Sequence, residues 1–342
     1  MKTIKSITII SLIVVIVTGF SPQALGADKL KVITTHETLK SLAEEIGGNL
    51  VEASSISKGT QDPHFISAKP SYMAKARRAN LWIRIGMEME IGYERLILDG
   101  ARNARIRVGN PGHLDASENV MRLEVPTAKI DRSMGDVHPQ GNPHYWIDPW
   151  NGRVVARSIA DRLSQLDPAN ANTYESNYEK FEERLDAAMF GSEAVQSLGG
   201  DALWAASNDG SLDALLSGKN ASVGGWVAKM LPVKGMQFVS YHKSWIYLAN
   251  RFGMDVPIEL EPKPGIPPGP GHVLNVIKTV KAQKIPLIIV EPYYNRKPAD
   301  GVAEKTGARV VVLANSVGGS KESTDYIAMI TNAVDTLAAA LK

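Results

Sequence analysis

The chain has 342 residues, with 38 Lys or Arg, 36 Asp or Glu and no Cys. A charge so close to balance excludes a global attraction to nucleic acid or to anionic membranes. The lack of cysteine excludes disulfides and thiolate metal sites, so a soft metal ion must be held by imidazole, with carboxylate, amide or water as further ligands.

The first 26 residues have the pattern of a secretory signal peptide. Lys2 and Lys5 precede an apolar run over residues 7–20, and small residues then lead up to Gly26. We expect cleavage after Gly26, within a residue or two. An uncleaved membrane anchor is the alternative, but the run is shorter than the ~20 residues that a spanning helix needs. Since no cysteine is available for lipidation, we expect a soluble mature protein in the periplasm.

After cleavage the chain would still exceed the length at which one hydrophobic core stops growing, so we expect two domains. Its first part alternates short apolar segments with amphipathic ones. That alternation predicts an α/β fold in which a parallel sheet is flanked by helices. The predicted strands here are 30–35, 50–56 and 81–85, and the predicted helices are 37–46, 71–79 and 92–100.

A long amphipathic helix is predicted in the middle of the chain. Asp167 can cap it and Pro168 suits its first turn. Apolar side chains then recur every three or four residues as far as Met189, which indicates one packing stripe on a helix of roughly six turns. We interpret this helix as a rigid connector between two lobes. The predicted division is an N-terminal lobe at 27–166, a connecting helix at 167–190 and a C-terminal lobe at 191–342.

The second half begins with a segment of different composition. Residues 191–235 are rich in Gly, Ala and Ser and predict short helices and loops. The alternation of strands and helices then resumes, which indicates a second parallel sheet. The predicted strands are 237–240, 255–259, 286–290 and 309–313, and the predicted helices are 243–252, 273–283, 299–306 and 324–341.

Several histidines stand at the junctions of predicted elements. His36 and His64 follow the first two strands, His242 follows the strand at 237–240, and His144 precedes a helix. Ligands bind at the carboxyl ends of parallel strands, so this placement favours a binding site. Most single histidines are nevertheless ordinary surface or core residues, and a spacing this wide does not prove that the rings converge.

A set of short motifs occurs in a fixed order along the chain. They are Asp62-Pro-His64, Asn142-Pro-His144-Tyr-Trp-Ile-Asp-Pro149, Asp167-Pro-Ala169, Ser240-Tyr-His242, Glu261-Pro-Lys-Pro-Gly-Ile-Pro-Pro268 and Val290-Glu-Pro292. Together they resemble the zinc/manganese-type metal-binding proteins of ABC importers, the cluster A-I solute-binding family, over essentially the whole mature chain. The resemblance implies two α/β lobes, each a parallel sheet flanked by helices, joined by one long rigid helix, with a single metal site between the lobes.

The resemblance also implies a set of metal ligands. These are His64 and His144 from the first lobe and His242 from the second. Manganese-type members tend to have glutamate at the third position, so a histidine there favours Zn²⁺, with Mn²⁺ still possible. Three neutral imidazoles and one oxygen would give the four-coordinate site that zinc prefers.

The fourth ligand departs from the family pattern. Members usually supply a carboxylate after the last strand, where this chain has Asn315. Asn315 or a water molecule could complete the shell, and Glu291 or His36 could be recruited as a ligand or as a support behind one. His138 could also be recruited, or could be an accessory loop residue. Asp148 and Glu291 are candidates to accept the second N–H of a ligating imidazole.

The function expected from these observations is that of a periplasmic substrate-binding protein of a metal ABC importer. It would bind Zn²⁺, catalyse no reaction, act as a monomer without nucleic acid, and deliver the ion to a permease in the inner membrane. One alternative is a secreted zinc-dependent hydrolase, for which no local motif supplies a carboxylate base. Another is a siderophore or haem receptor of the same fold.

Overall fold

The computed structural model of the protein describes residues 28–129, 135 and 137–341. The predicted signal peptide at 1–26 and its cleavage site lie outside these residues. Within them, no helix combines the length and the apolar character required to cross a membrane.

The first half contains a four-stranded parallel sheet, which confirms the predicted α/β class. Its strand order is β2-β1-β3-β4. The three predicted strands are present, and the short strand β4 at the edge was not predicted. The strands are β1 (Leu30–Thr34), β2 (Val51–Ser55), β3 (Leu81–Arg84) and β4 (His113–Asp115), and the helices around them are α1 (Glu37–Gly47), α2 (Pro70–Ala76) and α3 (Glu94–Ala101).

Two long helices follow the first sheet. Helix α4 (Pro149–Leu166) begins at Asp148, whose carboxylate accepts from the Trp150 amide at 3.1 Å. Helix α5 (Ala171–Phe190) is the predicted long helix, and its 20 residues span about 30 Å. The stripe predicted to pack is buried at Tyr174, Tyr178, Phe181, Leu185 and Met189.

The start of α5 differs from the prediction. A 3-10 turn, Pro168–Asn170, separates Asp167 from the first α-helical residue. The Asp167 carboxylate accepts from the side chains of Asn170 at 2.7 Å and Tyr174 at 2.8 Å rather than from the helix backbone. Asp167 therefore fixes the corner between α4 and α5 instead of capping α5.

The second half contains a three-stranded parallel sheet in the order β5-β6-β7. The segment at 191–235 forms short helices, as predicted. The strands are β5 (Val239–Ser240), β6 (Leu287–Val290) and β7 (Arg309–Val312), and the helices are α6 (Ser192–Leu198), α7 (Gly200–Asp209), α8 (Leu212–Lys219), α9 (Gly225–Met230), α10 (Ile246–Phe252), α11 (Pro270–Gln283), α12 (Lys297–Thr306) and α13 (Tyr326–Ala340).

The strand predicted at 255–259 is wrong. Among the described residues this segment forms two isolated bridges instead, from Asp255 to Gln237, which precedes β5, and from Glu259 to Ser240 in β5. Pro257 lies between them, and a proline has no N–H to give to a ladder. The segment still runs beside β5, because the amide of Glu261 donates to the carbonyl of Tyr241 at 3.0 Å. The segment therefore brings Glu261 next to His242.

The largest apolar cluster is continuous between the two halves. It contains side chains of α1 and β1 from the first half, of α5 in the middle, and of α13 at the end of the chain, for example Leu42, Phe181 and Leu337. Smaller clusters pack around β3 and around β6. The lobe boundaries stay a prediction, since the main core does not divide at them.

Candidate metal site

Three histidines from distant parts of the chain converge in one place. One ring nitrogen each from His64, His144 and His242 lies within 4.8 Å of the other two. The Nε2 atoms of His64 and His144 are 3.3 Å apart, and the ring centroids of His144 and His242 are 5.0 Å apart. A tetrahedral ion with metal–nitrogen bonds of about 2.0–2.1 Å holds its ligands about 3.3–3.4 Å apart. The first pair therefore already has the spacing of two ligands on one ion.

A repeated local turn positions two of these rings. In Asp62-Pro-His64, the Asp62 carboxylate accepts from the amide of His64 at 3.0 Å. In Asn142-Pro-His144, the Asn142 side-chain oxygen accepts from the amide of His144, also at 3.0 Å. Both are turns in which an Asx side chain bonds the backbone two residues on, and the proline between restricts φ. The same three-residue pattern thus presents a histidine twice.

The second nitrogen of two rings is already bonded. The Nδ1 of His144 donates to the Asn142 side chain at 2.9 Å, and the Nδ1 of His242 donates to the Glu261 carboxylate at 2.7 Å. A ring that donates from Nδ1 presents the lone pair of Nε2, and such partners fix the orientation of metal-ligating histidines. Both rings are therefore oriented to offer Nε2 to a common centre.

The predicted partners of these imidazoles are different residues from the observed ones. Asp148 forms a bidentate pair with Arg251, at 2.8 and 2.9 Å, so the prediction that it supports an imidazole is wrong. The observed partners, Asn142 and Glu261, were missed. The repeated Asx-Pro-His pattern could have identified Asn142, whereas nothing local connects Glu261 with His242.

Burial and neighbouring charges perturb the pKa values of the triad. Burial, with further contributions from His242 and His138, lowers the pKa of His64 well below 6.5, and burial likewise lowers that of His144. Burial also disfavours the charged ring of His242, but its bond to Glu261 and the nearby carboxylates outweigh burial and raise its pKa. Two rings are therefore held neutral, as metal ligation requires, whereas a proton competes with the metal at His242 up to a higher pH than at an ordinary imidazole.

Carboxylates surround the triad without joining it. Asp62, Glu261 and Glu291 all favour the charged form of His242, so the potential at the site is negative. Burial raises the pKa of Asp62, whose carboxylate also accepts from the Tyr294 hydroxyl at 3.1 Å. Among the described residues, no carboxylate and no fourth histidine adds a ligand atom to the 4.8 Å cluster. A divalent cation bound here would thus be coordinated by nitrogen atoms, with carboxylates nearby but outside the ligand cluster.

The other predicted site residues lie around the triad. The Nδ1 of His36 accepts from the Thr38 amide at 3.3 Å at the start of α1, and burial lowers the pKa of His36 to about 3. The Nδ2 of Asn315, three residues beyond the end of β7, donates to the Tyr293 hydroxyl at 2.9 Å. Glu291 directly follows β6, and burial raises its pKa to about 7.

The His138 ring lies against the triad. Its ring centroid is 5.3 Å from that of His64. With His144 and His242 it lines a cavity of about 120 Å³, whose wall also includes Glu124 and Lys243. Glu124 and Lys243 form an ion pair of 2.7 Å. His138 is thus part of a cavity wall that also contains two histidines of the triad.

The match to a family model decides the family. The model for the periplasmic component A of the zinc-uptake complex, ZnuA, matches residues 32–190 and 221–340. The chain belongs to the ZnuA family. A ZnuA-family protein is the metal-binding substrate protein of an ABC importer, so this chain belongs to a class of solute-binding proteins rather than of enzymes, and a membrane permease is its implied partner. The expected family and function are therefore confirmed.

Individual relatives carry different metals in their names. The chain is 26% identical to the iron-binding protein YfeA of Yersinia pestis, with 91% of this chain and 86% of YfeA covered. It is 23% identical to the manganese ABC transporter substrate-binding lipoprotein PsaA of Streptococcus pneumoniae, with 89% and 86% covered. A crystal structure of ZnuA has the same fold, with a TM-score of 0.68, 21% identity, and 92% of this chain and all of that chain covered. The metal is therefore not set by family membership.

Proposed function

We propose that this ZnuA-family protein captures one Zn²⁺ through His64, His144 and His242 and delivers it to the permease of an ABC importer in the inner membrane. The observation that supports this most is the convergence of three imidazoles, two of them with Nδ1 already bonded to Asn142 and Glu261. These bonds orient the His144 and His242 rings before any ion arrives. Little reorganisation would then oppose binding.

The choice of zinc over manganese follows from the chemistry of the ligands. Imidazole nitrogen suits Zn²⁺, whereas an oxygen-rich set suits Mn²⁺. Here the three converging atoms are nitrogens, and the described carboxylates stay outside the cluster. A water molecule or the side-chain oxygen of Asn315 would complete a tetrahedral shell.

Two further parts of the proposal concern the state of the protein. We expect the mature chain, cleaved after Gly26, to be soluble in the periplasm and monomeric.

A siderophore or haem receptor is disfavoured, because the cavity beside the triad is about 120 Å³, well below the roughly 300–1,000 Å³ of pockets for larger ligands.

The test is metal titration of the chelator-stripped mature protein. We expect one Zn²⁺ per chain, bound more tightly than Mn²⁺ or Fe²⁺ in competition with a chromophoric chelator. His64→Ala, His144→Ala and His242→Ala should each weaken binding strongly. His272→Ala is the matched control, because the His272 ring bonds only the Glu259 carbonyl, at 2.9 Å, away from the triad. Undiminished binding in all three triad variants would refute the proposed site, and a preference for Mn²⁺ or Fe²⁺ would refute zinc as the cargo.

A further inference from the structure

Helices α6, α7 and α8 are an addition to the family pattern. The family model matches the chain up to residue 190 and again from 221, and these three helices fill the interval. Helices α6 and α7 pack onto α5 and α8 packs onto α7. The Trp204 indole of α7 donates to the Asp186 carboxylate at 2.6 Å, and its ring lies 4.9 Å from that of Phe190. The addition is thus anchored on the long helix rather than extended into solvent.

An ion pair between the two halves lies against this addition. Asp148, at the start of α4, and Arg251, in α10, form two hydrogen bonds of 2.8 and 2.9 Å, with side chains 0% and 3% exposed. A planar guanidinium bound at two points fixes both distance and angle. The pair therefore sets how α10 sits relative to the start of α4.

Helix α7 completes the surroundings of the Arg251 guanidinium. The Ser207 hydroxyl accepts from Nη1 of Arg251 at 3.0 Å, and the Trp204 ring centroid lies 5.5 Å from its central carbon. A buried charge is tolerated when its donors and its face are satisfied in this way. We call Trp204 and Ser207, with the Asp148–Arg251 pair that they cover, the α7 brace.

The braced segments are the ones that carry two of the proposed ligands. His144 lies four residues before Asp148, separated by one 3-10 turn, Tyr145–Ile147. His242 lies nine residues before Arg251. At the site itself, the Asn142 side chain donates to the carbonyl of Lys243 at 2.8 Å. The Asn142 carbonyl also accepts from the Tyr247 hydroxyl of α10 at 2.7 Å. The two segments are therefore joined at Asn142 and again at the α7 brace.

We propose that the α7 brace sets the spacing between His144 and His242, with Arg251 and Trp204 as positioning residues that do not contact the ion. The inference rests on the proposed function, since it takes both histidines as ligands. Two joints hold two segments at fixed separation and orientation, whereas one joint leaves a pivot. The added helices thus serve the metal site although they lie outside it.

The test compares zinc affinity and the visible absorption of the Co²⁺-loaded protein in two charge-removing variants. Arg251→Met opens the α7 brace. Arg84→Met is the control, because Arg84 pairs with Glu94 and Asp115 within the first half only, at 2.8 Å each. We expect Arg251→Met to lose about tenfold or more in zinc affinity, the loss found when support behind a metal ligand is removed, and to shift the Co²⁺ bands. Arg84→Met should lower thermal stability and leave both readouts unchanged.

A milder variant covers the case in which Arg251→Met does not fold. Ser207→Ala removes one hydrogen bond to Arg251 and keeps the ion pair, so we expect a smaller loss of affinity with the same direction of spectral shift. Wild-type affinity and spectrum in folded Arg251→Met, or in Ser207→Ala if Arg251→Met is unfolded, would overturn the inference. Equal losses in Arg251→Met and Arg84→Met would also overturn it. Neither result touches the proposed function, which is tested separately by the triad variants and by the competition between metals.

Discussion

Replacing Glu261 by Gln is a sharp test of how the site is tuned. The Glu261 carboxylate accepts from Nδ1 of His242 at 2.7 Å and from the Gly265 amide at 2.9 Å. Glutamine is nearly the same size and keeps an acceptor oxygen, so the change removes mainly the charge. Removing the hydrogen-bond partner of a metal-ligating histidine typically lowers metal affinity 10–100-fold, or by about 1.4–2.8 kcal/mol. We expect a loss in that range for Zn²⁺ at pH 8.

The same substitution should change the pH dependence of binding. In the wild type the bond to Glu261 raises the pKa of His242. Protonation of His242 therefore begins to compete with metal binding at a higher pH than it would without this carboxylate. Without the carboxylate this competition starts at a lower pH. The affinity gap between the wild type and Glu261→Gln should therefore narrow as the pH falls from 8 to 6.

Chelator-competition titrations at both pH values measure these effects. Glu259→Gln is the matched control, since Glu259 lies on the same segment but its carboxylate is 3.9 Å from the Lys243 ammonium and bonds no proposed ligand. Equal affinity in the wild type and Glu261→Gln at pH 8, or a gap that widens on acidification, would refute the reasoning.

Two further predictions concern stability and selectivity. Burial raises the pKa of Glu90 to about 8, so the folded state holds a proton that the unfolded chain releases, and the free energy of unfolding should fall by about 3 kcal/mol between pH 5 and 8 from this group. Glu90→Gln should lack that part of the decline, measured by urea denaturation at both pH values; parallel curves would contradict it. Asn315→Asp places a carboxylate where the family resemblance implies one, so the ratio of Mn²⁺ to Zn²⁺ affinity should rise. An unchanged ratio in competition titrations would show that residue 315 lies outside the shell.

Local patterns predicted most elements because each element has its own periodicity. The stripe from Tyr174 to Met189 identified α5, and the apolar runs at β1, β3 and β6 identified buried strands. Errors arose where one residue overrides a pattern. Pro257 breaks a stretch that otherwise has strand composition, and β4 has only three residues, too few for any periodicity.

The site was predictable only in part, for a related reason. The histidines could be chosen by their positions after strands, but their convergence required the order of motifs along the whole chain. Asp148 is a candidate partner of an imidazole by its place at the end of an element, but its observed partner, Arg251, is 103 residues away. Glu261 is likewise joined to His242 only by the path of the segment beside β5. Such pairings depend on tertiary geometry, which no local spacing encodes.

The continuity of the largest apolar cluster limits how far the two halves can move apart. Swinging one half away from the other would expose side chains such as Phe181 and Leu337, which are 1% and 0% exposed. Each such side chain costs about 1.5–3 kcal/mol to bring into water. A wide separation of the two halves is therefore opposed by the core that they share.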